Sequence, residues 1–216
     1  MPRTFRSLPV ALVLLLAGCS SAYYGAMEKM GVAKRDILAD RVDKTREAQA
    51  DAKQQFANAL QHFQAVTKAD GGDLQKKYED MSREFERSES RAKEVRSRIA
   101  AVEDVAEALF REWRNELAQY TNASLRADSQ RQLDSTRRRY DALLVLMRRS
   151  AERMDPVLAT FRDQVLYLKH NLNARALAQL DSTNRALEGD ITRLIADMEN
   201  AIKEAEKFVK ELKPTG

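Results

Sequence analysis

One cysteine, two histidines and many interleaved charges make up the residues of this 216-residue chain that could do chemistry. Cys19 follows the apolar Leu16 and the small residues Ala17 and Gly18. As the single thiol it excludes a disulfide framework, and it leaves no thiolate pair for redox or zinc chemistry. His62 and His170 fall on different predicted helices with no partner at ligand spacing, which argues against zinc and haem. Glu84, Glu86 and Glu89 alternate with Arg83, Arg87 and Arg91, the pattern of a solvated helix face rather than of two carboxylates with separated pKa values. After Gly71-Gly72 come Asp73, Leu74 and Gln75, where a phosphate loop needs Lys and Ser or Thr. These residues predict a protein that is not an enzyme and holds no cofactor or metal.

The remaining candidates are surfaces. Arg137, Arg138 and Arg139, then Arg148 and Arg149 with Arg153 one turn on, lie on one predicted helix. They could face lipopolysaccharide, lipid headgroups, peptidoglycan or an acidic envelope protein, or they could be a bundle's outer face balanced by Asp134, Asp141 and Glu152. Three adjacent arginines fan across most of a half-circumference at 3.6 residues per turn, so at least one should face solvent. Lys169, His170, Asn171 and Asn173 form a polar cluster at a predicted turn, read first as a capping network.

The N-terminus defines the compartment. Arg3 and Arg6 precede an apolar stretch from Leu8 to Leu16 that is too short to span a bilayer but fits an export signal. With Leu16-Ala17-Gly18-Cys19 it resembles the lipobox of bacterial lipoproteins. Residues 1–18 are then a signal peptide, and Cys19 becomes the acylated first residue of the mature chain. At ~0.8 kcal/mol per buried methylene, several acyl chains attach it to a membrane permanently. Ser20, Ser21 and Ala22 follow, whereas an Asp there resembles the signal for inner-membrane retention, so the expectation is the outer membrane, facing the periplasm. Residues 19–27 read as the lipidated cysteine and a short tether, with Tyr23 and Tyr24 suited either to a headgroup interface or to packing on the bundle base. Loss of Arg3 and Arg6 reduces 37 basic residues to 35 against 33 acidic ones, a near balance that argues against nucleic acid as a partner.

The body of the chain is written in heptads. A seam runs Leu38, Val42, Thr45, Gln49, Ala52, Phe56, Ala59, Phe63 and Val66, and a second continues from Leu74 through Met81, Phe85 and Ile99 to Trp113. A third passes Leu133, Tyr140, Met147 and Met154 and, after two steps of four, Leu158, Phe161 and Leu168 to Leu172; a fourth runs unbroken from Leu177 to Leu212. Repeats of 3.5 residues imply left-handed supercoiling against partner helices. The fold class is all-α: an elongated antiparallel bundle, or coiled coil, of four long helices at about 28–68, 73–120, 124–171 and 173–213, within a bundle over 28–213 and a tail at 214–216. Asp73 and Ser124 are the expected N-caps. Asp155-Pro156 marks a kink or a fresh helix start, and a full break there would instead join the last two runs into one longer helix. The seams also allow an oligomer.

Three segments carry a family resemblance: Thr121-Asn122-Ala123-Ser124-Leu125-Arg126, Met154-Asp155-Pro156-Val157-Leu158, and Phe161 through Ala174. They resemble the bacterial family known as domain of unknown function 2959. The resemblance implies an exported coiled-coil protein, often a lipoprotein, and supplies no catalytic residues. The expected function is a lipid-anchored periplasmic scaffold, spacer or recruiter of another envelope component. The alternatives are a holdase chaperone with coiled-coil arms and an activator of a cell-wall enzyme.

Overall fold

The computed structural model describes residues 23–27, 29–68 and 73–213. The signal peptide, Cys19, the Gly71-Gly72 link and the tail at 214–216 lie outside the described residues. Four long helices follow one another: α1 (Lys34–Lys68), α2 (Leu74–Leu117), α3 (Ala123–His170) and α4 (Ala174–Leu212). No strand occurs among the described residues. Each helix packs on its sequence neighbours, and α4 closes the ring against α1. Ion pairs fix the antiparallel sense: moving along α1 from Lys34 to Arg41 to Asp51, the α2 partners retreat from Glu112 to Asp104 to Arg91. The α1–α4 contacts reverse likewise, with Arg46 beside Glu206 and Lys53 beside Glu199. The result is an up-down-up-down bundle whose longest member, α3 with 48 residues, is about 72 Å long at 1.5 Å per residue.

Helix ends form where side chains replace the missing intrahelical partners. Asp73 Oδ1 accepts from the Lys76 amide at 3.0 Å. Asn122, not Ser124, caps α3, its Oδ1 accepting from the amides of Ser124 and Leu125 at 2.9 and 3.1 Å. Asparagine matches serine as an N-cap, and capping two residues earlier lets Ser124 join the first turn. Asp155 caps nothing, because α3 runs continuously through Pro156; its carboxylate pairs with Arg96 on α2. Burial of Met154, Val157, Leu158 and Phe161 along that stretch holds the helix together despite the missing proline donor.

The α1 and α4 seams are buried as the heptads require, from Leu38 to Val66 and from Leu177 to Leu212. Two layers of rings stack along the axis. Phe161 lies 4.4 and 6.4 Å from the rings of Phe63 and Phe56, and Tyr140 lies 5.5 and 6.4 Å from those of Phe110 and Phe208. Leu74, Tyr78, Trp113 and Thr136 are only partly buried, and two further seam positions differ for a visible reason. Phe85 is only half-buried, its ring covered by the Arg162 guanidinium at 5.7 Å. Glu84 takes the inner position instead, accepting from Gln55 Nε2 and Arg87 Nη1 at 2.8 Å each. Leu172 is exposed, since α3 ends at His170 and the residue sits in the turn.

Before α1, residues 23–27 are helical although their sequence carries no periodic signal. Gly31 has φ +80, and the Val32 amide donates to the Met27 carbonyl at 3.0 Å. That left-handed stop reverses the chain and folds the arm back on the bundle. Tyr24 is buried at 2% exposure, while Met27 and Val32 pack on the same core.

Candidate functional site

The arginine arc on α3 is built mainly from bonds within the bundle. Arg137 Nε donates to Asp141 at 2.9 Å, and its guanidinium lies over the Phe110 ring at 5.1 Å. Arg139 reaches Glu211 on α4 at 2.6 Å, and Arg148 reaches Glu103 on α2 at 2.8 Å. The bond to Glu103 raises the Arg148 pKa above its usual value. Arg149 and Arg153 converge on Asp197 of α4, Arg149 at 3.3 Å. The Asp197 side chain is 11% exposed, so two guanidiniums hold an almost buried carboxylate. Arg138 is exposed and forms no ion pair among the described residues. The arc is therefore a set of solvent-exposed clasps, most of them interhelical, with Arg138 alone outside any ion pair among the described residues.

The polar cluster at the α3–α4 turn is a capping network. The Asn171 side chain donates to the Tyr167 carbonyl at 2.9 Å, and its amide donates to that of Leu168 at 3.1 Å. Asn173 Oδ1 accepts from the Ala176 amide at 3.0 Å. Lys169 and His170 are exposed in the last turn of α3, where a basic side chain complements the helix dipole. His62 is exposed on α1. Among the described residues no three His, Cys, Asp or Glu side chains gather as metal ligands, and no helix is long and apolar enough to cross a membrane.

The arrangement that the heptads did not reveal lies at the arm. The Tyr24 hydroxyl donates to Asp104 Oδ2 on α2 and accepts from Arg41 Nη1 on α1 at 2.9 Å. Arg41 also donates to the Ala101 carbonyl at 2.7 Å. Burial, followed by the Asp104 bond, pushes the Tyr24 pKa up to about 12. Of the two roles open to the tyrosine pair, Tyr24 packs on the bundle; Tyr23 remains 46% exposed beside Arg41. The legible signal was Gly31-Val32 closing a short run that starts at Tyr24, a helix stop with a hydrophobic residue after it. Next to that turn, a cleft of about 560 Å³ is lined by Val32, Leu109 and Trp113, and Lys34 and Glu112 on its wall are ion-paired at 2.8 Å.

The model of a family described as "Protein of unknown function (DUF2959)" matches residues 23–212. No curated protein and no solved structure matches the chain.

Proposed function

The chain belongs to the family of proteins of unknown function DUF2959, and we propose that this member is a non-enzymatic, lipid-anchored rod of the bacterial envelope. In this reading, acylated Cys19 holds it to the outer membrane on the periplasmic side, and the bundle spaces, scaffolds or recruits another envelope component. The observation that carries the reading is Leu16-Ala17-Gly18-Cys19 closing an export signal, followed within a few residues by a rod whose seams are filled. A holdase that grips clients between arms needs apolar inner faces open to solvent. Here Phe56, Phe63 and Phe161 are wholly buried against one another, which favours the scaffold. The test is fractionation with intact-mass measurement: the native protein should follow the outer membrane and carry diacylglyceryl and N-acyl mass. In-cell crosslinking from exposed positions such as Arg138 should then join it to a specific envelope component. Acyl mass on no fraction, or turnover of a periplasmic substrate abolished by one point change, would defeat the proposal.

A further inference from the structure

We infer that the rod lies along the membrane on its α1–α2 flank instead of standing on its end. The inference rests on the Cys19 anchor, and its geometry comes from where the arm delivers the chain. Tyr24 is bonded to Arg41 and Asp104, whereas α1 begins at Lys34 and α2 continues to Leu117. At 1.5 Å per residue, the end of α2 lies roughly 20 Å beyond Asp104. The first turn of α3 reaches further still, since Phe110 pairs with Tyr140 and Trp113 with Ser129 while α3 starts at Ala123. From Cys19 to Tyr23, a fully extended chain covers at most about 14 Å. With the arm docked, the acylated sulfur cannot reach a bilayer lying across either end of the rod. It reaches one lying against the flank.

The arm's outer surface suits that placement. Tyr24 and Met27 face the bundle, while Tyr23, Ala26, Lys29 and Met30 are exposed, Met30 at 68%. The outer side is thus amphipathic, a ring and a thioether beside one ammonium, a pattern suited to a second cover. Its one tyrosine tip and one ammonium match the headgroup layer, where amphipathic rings settle and a cation meets lipid phosphate. The occupant is therefore a phospholipid surface containing anionic headgroups. The Gly31 turn and the Tyr24 bonds keep the rod recumbent, because a released arm would add enough chain to let it stand.

Neutron reflectometry tests this with the acylated full-length protein on a supported bilayer of phosphatidylethanolamine and phosphatidylglycerol. A recumbent bundle gives a protein layer roughly 20 to 25 Å thick, two helix diameters, against about 70 Å for an upright one. In parallel, Met30→Cys supplies the single free thiol for a polarity-sensitive fluorophore, and Val145→Cys, exposed on α3 across the bundle diagonal from α1, is the control. Headgroup-bound spin labels should quench the fluorophore at position 30 severalfold more than the one at 145. An acylated protein in a layer near 70 Å, or a fluorophore at position 30 that lipid does not quench, overturns the recumbent rod while leaving the anchor intact. Protein without acyl mass that fails to coat the bilayer ends the anchor reading and this inference together.

Discussion

Gln49 of α1 donates through Nε2 to Ser150 Oγ of α3 at 2.9 Å, across the diagonal of the bundle and between its two aromatic layers. Both residues are fully buried. Ser150 also donates to the Met147 carbonyl at 2.8 Å, whereas Gln49 Oε1 has no partner. The two ends of the bond are therefore unequal. Gln49→Met should be neutral or stabilising by up to about 1 kcal/mol, because it removes the orphaned oxygen and leaves the serine proton bonded. Ser150→Ala strands the whole carboxamide and should cost about 1 to 3 kcal/mol. Urea denaturation of both variants checks the sign, and equal destabilisation would refute this account of the layer.

Polar residues at heptad positions explain how far the sequence could be read. Thr45, Gln49 and Asn184 kept their seam places, as the unbroken period demanded, because each found a bond inside: Thr45 to the Arg41 carbonyl, Gln49 to Ser150, Asn184 to Thr67. On α2 the same reasoning slipped by one residue. A carboxylate is ordinarily assigned to solvent, yet Glu84 is buried because Gln55 and Arg87 together satisfy it, and Phe85 turns under Arg162. The partners of Glu84 and Phe85 on other helices cannot be read from the period of α2. The arm was hidden for a different reason: a helical turn of five residues is too short to establish a period, and its stability comes from Tyr24 reaching two other helices.

The Phe56–Phe161–Phe63 stack should dominate mutational cost at its end of the rod. All three side chains are fully buried, and truncation of Phe161 removes contacts to both neighbours. Phe161→Ala is expected to lose about 3 to 5 kcal/mol. Leu194→Asp, which places a carboxylate at a wholly buried position of α4, should be worse. Phe85→Asp should be milder than either, since that ring is half-exposed. Thermal melts followed by circular dichroism rank the three, and a Phe85→Asp loss equal to that of Leu194→Asp would contradict the observed seam.

Two tyrosines make the fold alkali-sensitive. Burial raises the pKa of both Tyr24 and Tyr140 to about 12, from an ordinary value of 10.0. The folded state thus holds these protons more tightly than the unfolded state. Their contribution to stability is complete below about pH 10 and declines as the pH rises toward 12. Absorbance at the tyrosinate band should show a late-titrating component that shrinks in Tyr24→Phe and again in the double variant with Tyr140→Phe. A component unchanged by both substitutions would place the late titration elsewhere.

Cys19→Ser should separate anchoring from folding. Export signals act before the bundle forms, so the variant should still leave the cytoplasm, retain its signal and lack acyl mass. Its bundle should melt at the native temperature, because the substitution alters no residue of the buried seams, which begin at Leu38. Normal processing with the same lipid mass would show that Cys19 is not the acylated residue.

Asp197 and Arg138 allow the arginine arc to be divided into structure and surface. Replacing Arg149 and Arg153 together by Gln removes both cations from a carboxylate whose side chain is 11% exposed, and about 1 to 3 kcal/mol should be lost. Adding Asp197→Asn to that pair should restore much of the loss, because the stranded charge disappears with it. Arg138→Gln should change stability by no more than about 0.5 kcal/mol, as it breaks no ion pair. If Arg138 meets an anionic partner, its replacement should weaken envelope crosslinks in low salt, and the difference from native protein should fade as ionic strength rises and screening shortens to about 8 Å at 0.15 M. Crosslinks that persist unchanged at every salt concentration would assign Arg138 to hydration alone. A triple variant no more stable than the double one would mean that Asp197 is not the residue the two arginines serve.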